Sequence, residues 1–370
     1  MRLAIVHDYL NQYGGAERVL DALHGLYPAA PVYTSMYDAT RMPGSYRQLD
    51  IRTSFMQRLP GVTTHHQAYL PLYPIAFESF DLSGYDVVLS NSSAWCKGVV
   101  VPPGTMHVCY CLTPMRWAWR YQDYVERERL GRAARFGLPV AMTALRIWDV
   151  TSSQRVDHFI AISREVAARI KKYYQRPSTV IYPPVETVRF QTDQPPGSYY
   201  LVVSRLIPYK RVDLAIEAFN RLGLPLKIVG DGRDRSELAR RARPNIEFLG
   251  RVSDSEVVKL VQGCRAFVFP GQEDFGIAPV EAQAAGRAVV AFGAGGALDT
   301  VVDGHTGVLF EHHTAEGLEA AVRRLETLVL DSSQMVEQAR KFDSSVFRRE
   351  LAAFVDGALT EGQPVAGLVR

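Results

Sequence analysis

Two carboxylates frame a glycine turn in the stretch PGQEDFGIAPVEAQAAG, Pro270 to Gly286: Glu273 and Glu281, with seven residues between them. Glu273 follows the apolar run AFVF and precedes Gly276, a place where a carboxylate does little for a core. Phe275, Gly276 and Ile277 open the helical pattern that follows. Their backbone amides would face outward at a helix N-terminus, where unpaired N–H groups and the helix dipole favour negative charge. Gly276 lets a ligand approach the backbone closely. The glutamates would repel a phosphate, but a carboxylate accepts two hydrogen bonds from a vicinal diol, so ribose and sugar hydroxyls are the groups they would hold. Glu281 taken alone also reads as an ordinary first-turn glutamate that stabilises its helix.

A second group lies in VSRLIPYKRVD, Val203 to Asp213, where Arg205 and Lys210 directly follow a strand pattern and Pro208 stiffens the loop between them. A forked guanidinium beside a compact ammonium suits a diphosphate; the alternative is a solvated basic loop. The adjacent pairs His65–His66 and His312–His313 lack spaced carboxylate partners and read as polar loop residues rather than metal ligands. His7 closes the first strand pattern and reads either as an acceptor contact or as a satisfied core histidine. Cys96, Cys109, Cys111 and Cys264 form no C-x-x-C pair and read as buried thiols in a reducing compartment. In AVVAFGAGGALD the third glycine of a dinucleotide fingerprint would fall on Leu298, which argues against a nicotinamide-dependent dehydrogenase.

These residues need a scaffold that brings strand ends together. At 370 residues the chain has the length of two domains. Its net charge of +3 gives no footing for nucleic-acid binding, and no run approaches the ~20 apolar residues that span a bilayer. The N-terminus MRLAIVHDYL is too short in its apolar run for a signal peptide, so a cytoplasmic protein is expected. Short apolar strand patterns alternate with helical ones, as in LAIVH before AERVLDALHGLY, YDVVLSNS, MHVCYCLT, and DHFIAIS before REVAARIKKYY. Such alternation implies α/β architecture with parallel sheets covered on both faces. The proline-rich segment YPPVETVRFQTDQPPGS interrupts it, after which YYLVVSRL begins a second, more regular series. The expected domains are 1–190, joined by a terminal helix at 344–370, and 197–343. Two doubly wound domains facing an interdomain cleft would place the site at the carboxyl ends of their strands.

The E-D-F-G-I-A-P-V-E run resembles the E-x7-E signature of retaining family 4 glycosyltransferases with the GT-B fold. The S-R-L-x-P-x-K segment, V-G-D-G at Val229 to Gly232, L-G-R-V at Leu249 to Val252 and the Gly14–Gly15 turn follow in the family's order, so the resemblance covers nearly the whole chain. YCLTPMRWAW further resembles a subgroup that transfers mannose in bacterial polysaccharide assembly. The resemblance implies that Arg205 and Lys210 hold the donor diphosphate and stabilise the leaving charge. It implies that Glu281 binds the ribose, and that Glu273 with the amides of Phe275, Gly276 and Ile277 holds the transferred sugar. Gly14 and Gly15 would admit the donor phosphates and the acceptor, and Arg251 and Val252 would lie beside the base. The implied chemistry keeps the anomeric configuration by front-face attack, the leaving phosphate taking up the proton of the acceptor hydroxyl. No D-x-D occurs in the chain, so metal-independent activity without a cofactor is expected.

Leu112 departs from the family, which carries histidine there to contact the donor sugar near its C6 hydroxyl. Leucine would leave that hydroxyl without a partner, at ~1 to 3 kcal/mol. Leu112 therefore reads either as the mark of a 6-deoxyhexose donor such as rhamnose or as the loss of a histidine whose contact another side chain replaces, with mannose still transferred. The mannosyl-like subgroup implies a GDP-linked donor, and the acceptor is expected to be a glycan or polyprenyl-linked glycan. Arg127, Arg129, Arg132 and Arg135, mixed with Phe136, Leu138 and Val140, read either as a peripheral contact with anionic membrane, to which Lys171 and Lys172 would add, or as a solvated basic helix running into a core helix. Rival readings on the same fold are a non-catalytic sugar-nucleotide-binding protein and a nucleotide-sugar epimerase.

Overall fold

Each short apolar run becomes a parallel strand, and each amphipathic run becomes a crossover. The computed structural model describes residues 1–119, 132–192 and 194–362. The chain divides into two compact units, Met1–Tyr182 with Phe347–Arg370, and Pro183–Val346. Arg127 and Arg129, and the side chains of Arg132, Arg135, Phe136 and Leu138, lie outside what is described. No described helix is long and apolar enough to cross a membrane.

The first unit is built on β1 (Leu3–His7), β2 (Val32–Thr34), β3 (Ile51–Thr53), β4 (Val87–Ser92), β5 (Met106–Cys111), β6 (His158–Ala161) and β7 (Thr179–Val180). Among the described residues they form one 7-stranded sheet in the order β3-β2-β1-β4-β5-β6-β7, parallel at every pairing. The second unit holds β8 (Tyr200–Val203), β9 (Leu226–Val229), β10 (Ile246–Gly250), β11 (Ala266–Phe269), β12 (Ala288–Phe292) and β13 (Gly307–Phe310). These form a 6-stranded sheet in the order β10-β9-β8-β11-β12-β13, again parallel throughout. In both sheets the chain winds outward in one direction, then returns past its first strand and winds outward in the other. The order therefore reverses between β1 and β4, and between β8 and β11. Beyond the carboxyl ends of such a pair the connections diverge and leave a crevice.

The β8 to β9 crossover shows how the sequence makes this happen. In the helix Val212–Leu222, Val212, Ala215, Ile216 and Phe219 are buried at helical spacing. They pack with Tyr200, Val202, Ile228 and Val268 of the sheet, each large side chain contributing ~1.5–3 kcal/mol. Gly223 ends the helix with φ +70°, a left-handed conformation that costs glycine nothing.

In the first unit the strand ends are fixed by buried charges. Asp8, directly after β1, accepts from Ser93 N (2.7 Å), Ser93 Oγ (2.7 Å) and Ala94 N (3.0 Å) through Oδ2. Its Oδ1 accepts from Trp95 N (2.8 Å) and Cys96 N (2.7 Å). The turn after β4 is thereby tied to the end of β1. One residue further on, Lys97 is 1% exposed and pairs with the fully buried Asp149. Trp119 Nε1 at 2.7 Å and Tyr174 OH at 2.9 Å also donate to that carboxylate. All four cysteines are buried and unbridged.

His107, on β5, is fully buried; Ser90 Oγ lies 2.9 Å from its Nε2. Burial first, then the nearby charges of Arg155 and Lys97, lowers its pKa from 6.5 to about 3. Between those values the unfolded chain binds the extra proton, so the stability conferred by neutral His107 is complete above pH 6.5 and drains away as pH falls. The slope is ~1.4 kcal/mol per pH unit, or roughly 2 kcal/mol lost at pH 5. Denaturant unfolding of wild type and His107→Leu at pH 7 and pH 5 checks this. The variant should lose less stability on acidification, and equal losses would contradict the assignment.

The boundary falls earlier than the expected 190–197. Val185 N donates to Phe342 O, and Ser344 N to Val185 O, each at 3.0 Å. Phe190 is 8% exposed, and the carbonyls of Gln191 and Gln194 accept from Gln262 and Arg287. These bonds make the proline-rich segment part of the second unit. The terminal helix Ser344–Gly362 joins the first unit from Phe347 onward, where Phe347 meets Tyr110 edge-on at 5.5 Å.

Candidate active site

The loop leaving β8 carries both cations. Ser204 N bonds to Val229 O (3.0 Å) and Leu206 N to Asp231 O (2.9 Å), which lays the loop along the V-G-D-G turn after β9. Glycine is required on that side: a Cβ on Gly230, whose φ is +128°, would stand 1.9 Å from Ser204 O, and one on Gly232 would stand 2.2 Å from Leu206 O. Pro208–Lys210 then make a short 3-10 turn. Arg205 is exposed, and its Nη2 donates to Tyr209 OH at 3.3 Å. The Lys210 ammonium lies 5.2 Å from the centre of the Tyr209 ring.

The loop leaving β11 faces it across the crevice. Glu273 Oε1 pairs with Lys210 Nζ, with the two side chains 22% and 13% exposed. Gly271 packs on the Lys210 backbone, where a Cβ would come within 2.9 Å of Lys210 O. Gly276, at φ +91°, turns the chain into the helix Ile277–Ala284, and Phe275 is buried behind it. A third loop, after β12, supports the second: Gly296 N donates to Glu273 O at 2.9 Å. A Cβ on Gly296 would lie 2.2 Å from Phe275 Cα, so the glycines that suggested a dinucleotide fingerprint serve close loop packing instead. Asp299, which follows them, is buried.

The crossover therefore brings together Arg205, Lys210, Glu273, Phe275, Gly276 and Ile277. Glu281 sits on the same helix, half-buried, but that helix has no acidic residue in its first turn. Glu281 is its fifth residue, so the expectation of a first-turn, dipole-stabilising glutamate is corrected. Arg251 and Val252 directly follow β10, on the other side of β9, and Gly230 N to Gly250 O at 2.7 Å links that turn to V-G-D-G. Gly14 and Gly15 belong to the first unit, at the start of the helix Gly15–Leu26 that follows β1. Leu112, also in the first unit, is buried just beyond β5.

Two supporting residues gave no motif. Tyr209 contacts both cations. His313 stacks on Phe292 at 3.9 Å, and its Nε2 lies 2.8 Å from Pro270 O, fixing the entry to the Glu273 loop. His7 is buried, with Nε2 3.4 Å from Glu17 Oε1 and Nδ1 3.2 Å from Asn91 Nδ2. Asn91 Nδ2 also donates to Ala16 O at 2.9 Å, which orients the amide, so His7 accepts at Nδ1 and donates from Nε2 to Glu17.

Two cations, one carboxylate and a helix start around a strand crossover have the chemistry that suits an anion carrying hydroxyls. Residues 185–342 match the family model described as glycosyl transferases group 1. The second unit matches that family over nearly its whole length. An uncharacterized glycosyltransferase of Methanocaldococcus jannaschii is 29% identical over 176 residues, 46% of this chain and 49% of that protein. The chain spans about half, or less, of the length of the curated relatives it matches. Among solved structures, Anabaena HepE in complex with UDP aligns over 96% of this chain and 100% of its own, with a TM-score of 0.71 at 18% identity. Sucrose-phosphate synthase from Thermosynechococcus elongatus aligns over 98% and 100%, with a TM-score of 0.75 at 15% identity. The whole chain thus has the two-domain α/β fold of these proteins, the GT-B fold expected from its sequence. Within the matched residues 185–342, Arg205, Lys210 and Glu273 all lie at the crossover of the sheet.

Proposed function

We propose that the protein is a glycosyltransferase that moves a hexose from a nucleotide diphosphate donor to a glycan or lipid-linked glycan. One observation carries the reading: the loops after β8 and β11 converge Arg205, Lys210, Glu273 and a helix N-terminus on the β8/β11 crossover of a unit that matches group 1 glycosyl transferases. The diphosphate lies against Arg205, Lys210 and the amides of Phe275, Gly276 and Ile277. Glu273 takes hydroxyls of the transferred sugar, and Glu281 takes the ribose. The cations stabilise the charge that develops on the leaving phosphate. Transfer proceeds with retention, without a metal: the acceptor oxygen bonds to the anomeric carbon as the bond to the diphosphate breaks, and the acceptor proton passes to the leaving phosphate oxygen.

The YCLTPMRWAW segment and Leu112 support GDP-linked mannose or a 6-deoxyhexose such as rhamnose as donor. A structure of the same fold was solved with UDP, which makes uracil the competing base. A thermal-shift panel of GDP, UDP, ADP and their sugar conjugates, with and without EDTA, separates these. One base should raise the midpoint by several degrees, as ligand at about 100 times its Kd gives roughly 2.7 kcal/mol. The shift should survive EDTA. No shift with any nucleoside diphosphate would refute the reading.

A further inference from the structure

Lys210 comes from the loop after β8 and Glu273 from the loop after β11, so their ion pair spans the crevice that the donor reading assigns to the diphosphate. Both partners are mostly shielded, at 13% and 22% exposure. The Tyr209 ring and the Gly271 backbone fix Lys210 from two further sides. Arg205 differs: it is exposed and held by the Tyr209 hydroxyl rather than by a carboxylate. The two cations are therefore not equivalent towards an incoming anion. Arg205 meets it directly, whereas Lys210 is reached only by displacing Glu273.

We propose that Glu273 competes with the diphosphate for Lys210, and that this competition favours the intact sugar nucleotide over the bare nucleoside diphosphate. The proposal rests on the donor reading above. A diphosphate draws the ammonium away because it brings more negative charge and several acceptor oxygens. The released carboxylate then stands beside an anion, and it needs donors. An intact donor supplies them, because the sugar that follows the diphosphate carries hydroxyls. A bare nucleoside diphosphate has no hydroxyl at that end, so Glu273 either keeps Lys210 or faces phosphate without relief. Glu273 thereby acts twice, as a partner of the sugar and as a force that expels the product once the sugar has left.

Calorimetric titration of the full chain with GDP, UDP and ADP, and with their glucose and mannose conjugates, tests this. Glu273→Gln keeps the side chain's shape and removes the charge. It should tighten the bare nucleoside diphosphate by about tenfold while leaving the sugar nucleotide unchanged or weaker. In a Lys210→Met background the same substitution should change nucleoside diphosphate affinity by less than about twofold, because the competed group is gone. A Glu273→Gln protein that folds normally yet binds the nucleoside diphosphate no tighter overturns the proposal. So does a gain of equal size in the Lys210→Met background, which would report general charge repulsion rather than competition for one lysine. Failure of wild type to bind any nucleoside diphosphate would instead refute the donor reading, and this inference with it.

Discussion

Lys210→Ala is expected to reduce turnover by about a hundredfold to a thousandfold, the loss that follows removal of one group aimed at charge developing in a transition state. The effect should fall mainly on kcat. Arg205 remains to bind the ground-state diphosphate, whereas the second cation matters most as the leaving phosphate gains charge. Fold stability should hardly change, because Glu273 is 22% exposed and can take water in place of the ammonium. Lys210→Arg should recover only part of the rate. A guanidinium is larger and planar, and the Tyr209 ring and Gly271 backbone shape this position around a compact ammonium. Initial rates of nucleoside diphosphate release, with a thermal melt of each variant, check both statements. A Lys210→Ala enzyme within threefold of wild type would remove Lys210 from the mechanism.

Asp149→Ala is expected to destabilise the first unit by ~3–5 kcal/mol, because it strands a buried ammonium. Among the described residues, Lys97 would keep the Ala94 carbonyl at 2.9 Å and the faces of Trp148 and Tyr174, at 5.2 and 5.5 Å. Trp119 Nε1 and Tyr174 OH would lose their acceptor as well. Removing both charges in Lys97→Met with Asp149→Leu should cost much less than the single change, since no uncompensated charge remains. Urea unfolding of the three proteins decides. A single-variant loss below about 1 kcal/mol would mean that water reaches the pair.

How far these features could be read from sequence follows from whether they are local. The strands and crossovers were legible because each apolar run carries its own period, and Gly276 was legible because a turn into a helix needs its φ of +91°. The meaning of Gly295 and Gly296 was not, since they answer to the backbone of Glu273 and Phe275 on another strand's loop. The Lys210–Glu273 pair was hidden for the same reason: sequence reading gave each residue a ligand of its own, and only adjacency of β8 and β11 makes them partners. Glu281, read alone as a first-turn glutamate, is the fifth residue of a helix that begins at Ile277, and at about 3.6 residues per turn it falls in the second turn. The proline-rich run marks the break that begins at Tyr182, but prolines do not say to which side irregular backbone bonds, so the expected bounds of 190 and 197 fall too late. Val185 and Phe190 settle that by packing with the second unit. Lys97 and Asp149 sit in patterns that give no sign of each other.

The central claim is that the crossover of β8 and β11 holds a diphosphate, and calorimetry tests it most directly. The nucleoside diphosphate of the base selected by thermal shift and the matching monophosphate are titrated into wild type and into Arg205→Ala. Wild type should bind the diphosphate at least tenfold more tightly than the monophosphate, a difference of about 1.4 kcal/mol or more, and Arg205→Ala should lose most of that preference. Equal affinity for the two nucleotides in wild type, or a preference that Arg205→Ala leaves intact, would contradict it.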